Sequence, residues 1–288
     1  MSSPLLVGTV RPLRARATPT PTPALTPAPA ASPSWFRETA PSAFVAEAVV
    51  ARWVGVGGWD RTLRVLPDGC ADLVWSADGL IVVGARAEPQ RFPVAADHRN
   101  VGLRLCPGAG RAVLGVALDD LPPGAVPAVD LWGREAARLE DRLHDARDDD
   151  HRHELLERHV AARLDGGGRG VDPAVLAAVR LLRRRSAHDR VHRVSVTRTA
   201  ADVGLSPREL RRRFATDVGY GPKTLQRVLR FRDVVHDLRP GASLADLAAR
   251  HGYADQSHLG RECRALSGSS PARLLALRAR ATSHPGSP

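Results

Sequence analysis

The sequence predicts an α+β protein. A β-rich N-terminal domain is followed by a helical connector and an all-α C-terminal domain with two helix-turn-helix units joined by a linker helix. Three observations carry this. Short apolar runs separated by Asp-Gly and Pro-Gly turns fill the first half, helical spacing laced with charge follows, and one pattern of caps, apolar positions and glycines then occurs twice.

Taken in order, residues 1–34 hold proline at nearly every second or third position from Thr18 onward, which removes backbone donors and favours an extended, solvated leader. Residues 35–133 are predicted as a compact β-rich domain with one or two short helices. Thr62 to Leu66 is a strand stopped by Pro67-Asp68-Gly69. Cys70 to Trp75 and Leu80 to Val83 flank an Asp78-Gly79 turn, a hairpin signal, and Val101 to Leu105 is a further strand. Pro107-Gly108 opens a short helix over Arg111 to Gly115.

Residues 134–188 are a helical connector. Leu139, Leu143, Leu155, Leu156, Val160 and Leu164 have helical spacing, interrupted by Asp148-Asp149-Asp150 and ended at Gly166 to Gly168. Asp172-Pro173 starts another helix, with Asp as N-cap, proline at the first position, and Val175, Leu176, Val179 and Leu182 as its buried stripe.

Residues 189–281 contain the repeat, and 282–288 are a disordered tail. Ser195, Val196, Thr199, Ala200 and Gly204 recur 48 positions later as Ser243, Leu244, Leu247, Ala248 and Gly252. Past one extra turn residue the offset is 49, and Ser206, Leu210, Phe214, Gly219 and Pro222 match Asp255, Leu259, Cys263, Gly268 and Pro271. Each copy reads as helix, tight turn, helix, and Ser206-Pro207-Arg208-Glu209 is a capping box. Leu210 and Phe214 share the inward face, so Arg208, Arg211 and Arg212 face out. In the second copy Ser257, Gly260, Arg261 and Arg264 face out, with Gln256 at the helix start. Arginine can grip guanine O6/N7 and glutamine adenine N6/N7, so Arg208, Arg211, Arg212, Gln256, Ser257, Arg261 and Arg264 are the candidate DNA contacts. Pro222 to Leu238 is one long helix between the copies.

Charge agrees. The net charge is +11, and residues 190–280 hold 18 Arg/Lys against 8 Asp/Glu, so nearly all the excess lies there. Because 41 of the 42 basic residues are arginine, a coding bias also contributes, and the localisation is the better pointer to a polyanion.

Several classes are excluded or disfavoured. Apolar runs are far shorter than a membrane span, and Leu5 to Val7 followed by arginines is the wrong order for a secretory signal. Three cysteines without a CxxC pair argue against a disulfide framework or a metal finger and fit a cytoplasmic protein. Cys70 and Cys106 are expected to be buried and inert. His144, His151, His153 and His159 are expected on a solvated, charged helix face rather than at a metal. Gly108-Ala109-Gly110 lacks the rest of a phosphate loop. Asp68 and Asp72 could line a ligand pocket, although Asp68 is more simply a turn residue. With no cofactor motif and no Ser/His/Asp arrangement, the expectation is a non-enzyme that needs no cofactor.

The segments LSPRELRRRFATDVGYGP (Leu205 to Pro222), SLADLAARHG (Ser243 to Gly252) and YADQSHLGRECRALSGSSP (Tyr253 to Pro271) resemble the AraC/XylS family of bacterial transcription regulators over about 100 residues. The resemblance implies sequence-specific recognition of double-stranded promoter DNA. Arg208 and Arg212 sit where the family's first recognition helix meets bases, and Gln256, Ser257 and Arg261 at the corresponding places of the second. RVLPDGCADLVW (Arg64 to Trp75), VGLRLCPGAG (Val101 to Gly110) and VDLWG (Val129 to Gly133) resemble a poorly characterised sensor-type domain. RNA polymerase, a small-molecule effector and a second copy of the chain are open as further partners.

The chain departs from the family pattern at Thr199 and Cys263, where apolar or phenylalanine residues are usual, and at Gly260 inside a recognition helix. Two other readings stand beside this one. An alkylation-repair protein with an acceptor cysteine is disfavoured because only Cys70 and Cys106 precede the module, too few for a four-cysteine zinc site. An interaction protein with a degenerate DNA module is the other.

Overall fold

The computed structural model describes residues 35–58, 61–166, 170–188 and 195–282. The leader expected over 1–34 and the tail expected at the C-terminal end, from 283 onward, lie outside the described residues, as do Gly167 and Gly168.

The N-terminal half is built from strands β1 (Trp35–Thr39), β2 (Val49–Val56), β3 (Arg61–Val65), β4 (Ala71–Ser76), β5 (Gly79–Val83), β6 (Gln90–Val94), β7 (Arg99–Leu105) and β8 (Ala125–Pro127). Six form an antiparallel sheet in the order β1-β2-β7-β4-β5-β8, and β3 pairs with β6 separately. The Asp-Gly hairpin forms as its turn chemistry dictates, with Trp75 opposite Leu80 and Ser76 opposite Gly79.

Strand alternation sorts the sheet into two faces. Val101, Leu103 and Leu105 of β7 are fully buried on one. Helices α3 (Arg134–His144) and α4 (Asp149–Asp165) cover it, joining Leu139, Leu143, Leu156 and Val160 to the strand residues in one core. Between sheet and cover, α1 (Gly110–Leu114) and α2 (Ala128–Trp132) add Val113, Leu114 and Trp132. Asp148 separates α3 from α4 and caps the latter, its Oδ1 accepting from His151 N–H at 2.8 Å.

One expectation fails on α4. Its histidines do not share a solvated face. His153 is 3% exposed, with Nε2 3.2 Å from the Trp53 carbonyl oxygen, and His159 packs at a tilt against Trp132, 4.7 Å between ring centroids. Glu157 is fully buried and clamps Arg52, whose Nε donates to Oε1 at 2.7 Å, while Ser42 N–H donates to the same oxygen at 2.9 Å. A buried charge with a partner more than 100 positions away looks like a surface charge in a linear pattern.

The C-terminal half is helical: α5 (Pro173–His188), α6 (Val196–Asp202), α7 (Pro207–Val218), α8 (Pro222–Asp237), α9 (Leu244–Arg250), α10 (Gln256–Ser267) and α11 (Pro271–Thr282). Two cores result. Val175, Val179 and Leu182 of α5 pack with Ala200, Leu210 and Phe214, while Leu247, Leu259, Cys263, Leu266 and Leu274 form the second core. Helix α8 serves both. Leu225 and Leu229 enter the first core, and Val228, Phe231 and Val235 enter the second from another side of the same helix.

The two halves are also joined. Leu66, just past β3, is 2% exposed and belongs to the second helical core. Leu118 N–H donates to the Thr216 carbonyl at 2.8 Å, tying the α1–β8 connection to α7.

Candidate nucleic-acid interface

Each unit is set up by local chemistry. Ser195 Oγ accepts from Arg198 N–H at 3.3 Å and Ser243 Oγ from Asp246 N–H at 3.2 Å, capping the first helix of each pair. Gly204 and Gly252 then turn the chain at φ +70° and +68°, which a residue with a Cβ adopts only at a cost. Ser206 caps α7 through Glu209 N–H at 3.1 Å, and Asp255 caps α10 through His258 N–H at 2.6 Å.

The candidate contacts are all on the surface. Arg208, Arg211 and Arg212 are exposed on α7, while Leu210 and Phe214 are fully buried behind them. Gln256, Ser257, Arg261 and Arg264 are exposed on α10, opposite the buried Leu259 and Cys263. Helix geometry thus separates a packing side from a cationic side in both units.

Sequence reasoning missed how Glu209 is used. In a capping box its carboxylate reaches back to the cap. Here Arg212 takes it with Nε at 2.9 Å and Nη2 at 2.7 Å, and Arg213 Nε adds a contact at 2.7 Å. Hydrogen bonds from Arg212 and then Arg213 pull the Glu209 pKa down to about 2. The i, i+3 and i, i+4 spacing was the available signal. Arg213 Nη1 also donates to Asp172 Oδ2 at 2.9 Å, fastening α7 to the start of α5. In the second unit Arg227 on α8 grips Glu262 with Nε at 2.9 Å and Nη2 at 3.0 Å, which orients α10 against the linker.

The family departures are visible. Thr199 is fully buried and its hydroxyl has no hydrogen-bond partner among the described residues. Cys263 is fully buried and burial pushes its thiol up to about 12. Gly260, expected on the outward face, is buried because it has no side chain to project past its neighbours; the nearest atom to an added Cβ is Arg264 Nη1, at 3.5 Å, so no close approach explains the glycine.

A second polar cluster lies on the other face of the N-terminal sheet. Arg104, 5% exposed, donates from Nη1 to Glu38 Oε1 at 2.6 Å, and its Nε sits 3.4 Å from both Asp68 and Asp72. Trp53 Nε1 donates to Asp72 Oδ1 at 2.9 Å, its indole lying over Gly102, where a Cβ would come within 2.2 Å of the ring. One guanidinium cannot offset three carboxylates. Burial raises Glu38 to about 7, with Arg104 opposing, and burial likewise raises Asp72. Burial works against the Arg104 charge, but the surrounding carboxylates hold its pKa above the ordinary value. Asp68 accepts from Cys70 N–H at 2.9 Å, as a turn residue does, and its carboxylate joins this cluster. The Cys70 and Cys106 thiols are both pushed up by burial, Cys70 within the core and Cys106 half-buried. Among the described residues no group of three metal-ligating side chains converges, and no helix is long and apolar enough to cross a membrane.

Residues 199–276 match the family described as a helix-turn-helix domain, and residues 37–127 match a domain of unknown function (DUF6597). No curated protein matches the chain. Among solved structures, the C-terminal domain of AraT, a response regulator from Geobacillus stearothermophilus, is 20% identical over 36% of this chain and 85% of its own, at a TM-score of 0.33. ToxT from Vibrio cholerae O395 is 10% identical over 84% of this chain and 97% of its own, at 0.40, and ToxT bound to an unsaturated fatty acid is 9% identical over 76% and 87%, at 0.36. Superpositions this loose do not bear on function. The sequence match and the duplicated, separately capped units agree: the C-terminal region of this chain is an AraC-type helix-turn-helix domain, preceded by a β-rich domain of the DUF6597 kind.

Proposed function

We propose that the protein is a sequence-specific, DNA-binding regulator of transcription, cytoplasmic and non-enzymatic, whose N-terminal domain adjusts DNA binding. The observation that carries this reading is the exposed cationic side on both second helices of the repeat, backed by fully buried apolar residues. Arg208, Arg211 and Arg212 would read one stretch of major groove, and Gln256, Ser257, Arg261 and Arg264 the next, one helical turn or about 34 Å along. Phosphate contacts from the other arginines would supply salt-dependent affinity.

Adjustment by the N-terminal half has its own support. That half contacts the first unit through Leu118 and Thr216 and the second through Leu66, so a change in it bears on both units. The test is binding of Arg212→Ala and Arg261→Ala to the native promoter. Each should lose roughly 5- to 150-fold in specific affinity while non-specific binding falls much less. Specific binding unchanged in both variants would remove the assigned faces.

A further inference from the structure

A cleft of about 530 Å³ opens where three parts of the chain meet: Gly108, Arg111 and Ala112 from the N-terminal half, the segment entering α5, and the flank of α7. This volume is in the range of small-molecule sites. Its charged lining is of both signs, but the members are unequally engaged.

Asp172 is fully occupied. Oδ1 accepts from Ala174 N–H at 2.9 Å and Oδ2 from Arg213 at 2.9 Å. Arg212 and Arg213 are held by Glu209. Arg111 and Asp217 face each other differently. Arg111 Nη1 stops 3.7 Å from Asp217 Oδ1, beyond hydrogen-bond reach, although the Asp217 side chain is only 9% exposed. Burial raises the Asp217 pKa, and Arg111 only partly opposes it. Arg111 and Asp217 thus form an ion pair too long for a good hydrogen bond on the lining of the cleft, and a buried carboxylate beside a loosely paired guanidinium is complementary to a small molecule that carries an acceptor and a donor side by side.

We propose that this cleft binds a small organic acid with a hydrogen-bond donor next to its carboxylate, as amino acids and hydroxy acids have, the carboxylate on Arg111 and the donor on Asp217. The volume leaves room for a side chain, and Val171 and Pro173 give it an apolar wall. Such a ligand bridges the N-terminal half to α7. Because Arg212 also lines the cleft, occupancy would alter the presentation of that arginine to DNA, a consequence that rests on the function proposed above.

The test uses the full chain without DNA, so its failure is distinct from failure of the DNA reading. Thermal unfolding is followed at constant ionic strength with glycine, L-serine, L-glutamate, L-phenylalanine, L-lactate or L-malate, and with acetate and phosphate as controls. At least one of the six should raise the unfolding midpoint by about 3 °C or more, with acetate and phosphate within about 1 °C of buffer. Arg111→Gln and Asp217→Asn should each weaken that ligand at least tenfold by calorimetry. If Asp217→Asn does not fold, the more exposed Arg111→Gln decides. No shift from any of the six overturns the proposal. So does an equal shift from phosphate, which would mean an unselective anion site, or full retention of binding in Arg111→Gln.

Discussion

Arg64 Nη1 donates to Ser269 Oγ at 2.8 Å, joining β3 to the turn between α10 and α11 across 205 positions of sequence. Two residues further on, Leu66 enters the same unit's core. One short stretch of the N-terminal half therefore holds the second helix-turn-helix unit by a polar contact and an apolar one.

Leu66→Ala should destabilise the protein by about 2–4 kcal/mol, the ordinary cost of emptying a fully buried leucine site. Hydrogen exchange should show the loss in α9 to α11 as well as in the N-terminal strands. Protection unchanged in the helices would mean that Leu66 is not part of their core.

Glu209 occupies Arg212, a candidate base contact on the cationic side, together with the neighbouring Arg213. Glu209→Gln should therefore tighten DNA binding about fivefold at low salt, because an anion that competes with phosphate is gone. Filter binding or anisotropy on a single duplex measures this. Weaker binding would show that Glu209 positions Arg212 rather than restraining it.

Thr199→Val should stabilise the first unit by about 1 kcal/mol, since the hydroxyl is buried without a partner among the described residues and valine keeps its shape. The midpoint in urea at unchanged slope reports it. A loss of stability would reveal a hydrogen bond the threonine makes in solution.

The Glu38 carboxyl moves from its ordinary 4.5 to about 7 in the fold, mainly through burial. A raised carboxyl favours the protonated, folded form. Its contribution is therefore complete below pH 4.5 and is lost as the pH rises through 7. Urea midpoints of wild type should fall between pH 5.5 and 7.5 more steeply than those of Glu38→Gln. A residual slope should remain, because Asp72 is shifted in the same direction. Parallel slopes in the two proteins would place the titration elsewhere.

The C-terminal architecture was legible because its signals are local. Ser195, Ser206 and Ser243 cap the helices they precede, Asp172 caps α5, and Leu210 and Phe214 lie inward at a spacing of four. The Asp78-Gly79 hairpin was legible for the same reason. What stayed hidden depends on distant partners. Nothing near Glu157 or His153 in sequence marks them as buried, since Arg52 and Trp53 lie on β2 and not on α4. Strands β1 and β2 had no turn signal as clear as Asp-Gly between them. The Arg104 cluster needs β1, β2, β4 and β7 brought side by side before its residues meet. For the candidate contacts the sequence supplied outward orientation, but not that Glu209 holds Arg212.

Helix α8 spans 16 residues without a break, which at 1.5 Å per residue is about 24 Å of stiff rod between the two units. Its length is also an angle. Each added or removed residue would rotate the second unit about 100° around the rod relative to the first, so a single-residue insertion in α8 would throw the two exposed cationic sides out of phase, whereas a lengthening near a whole number of turns would nearly restore it.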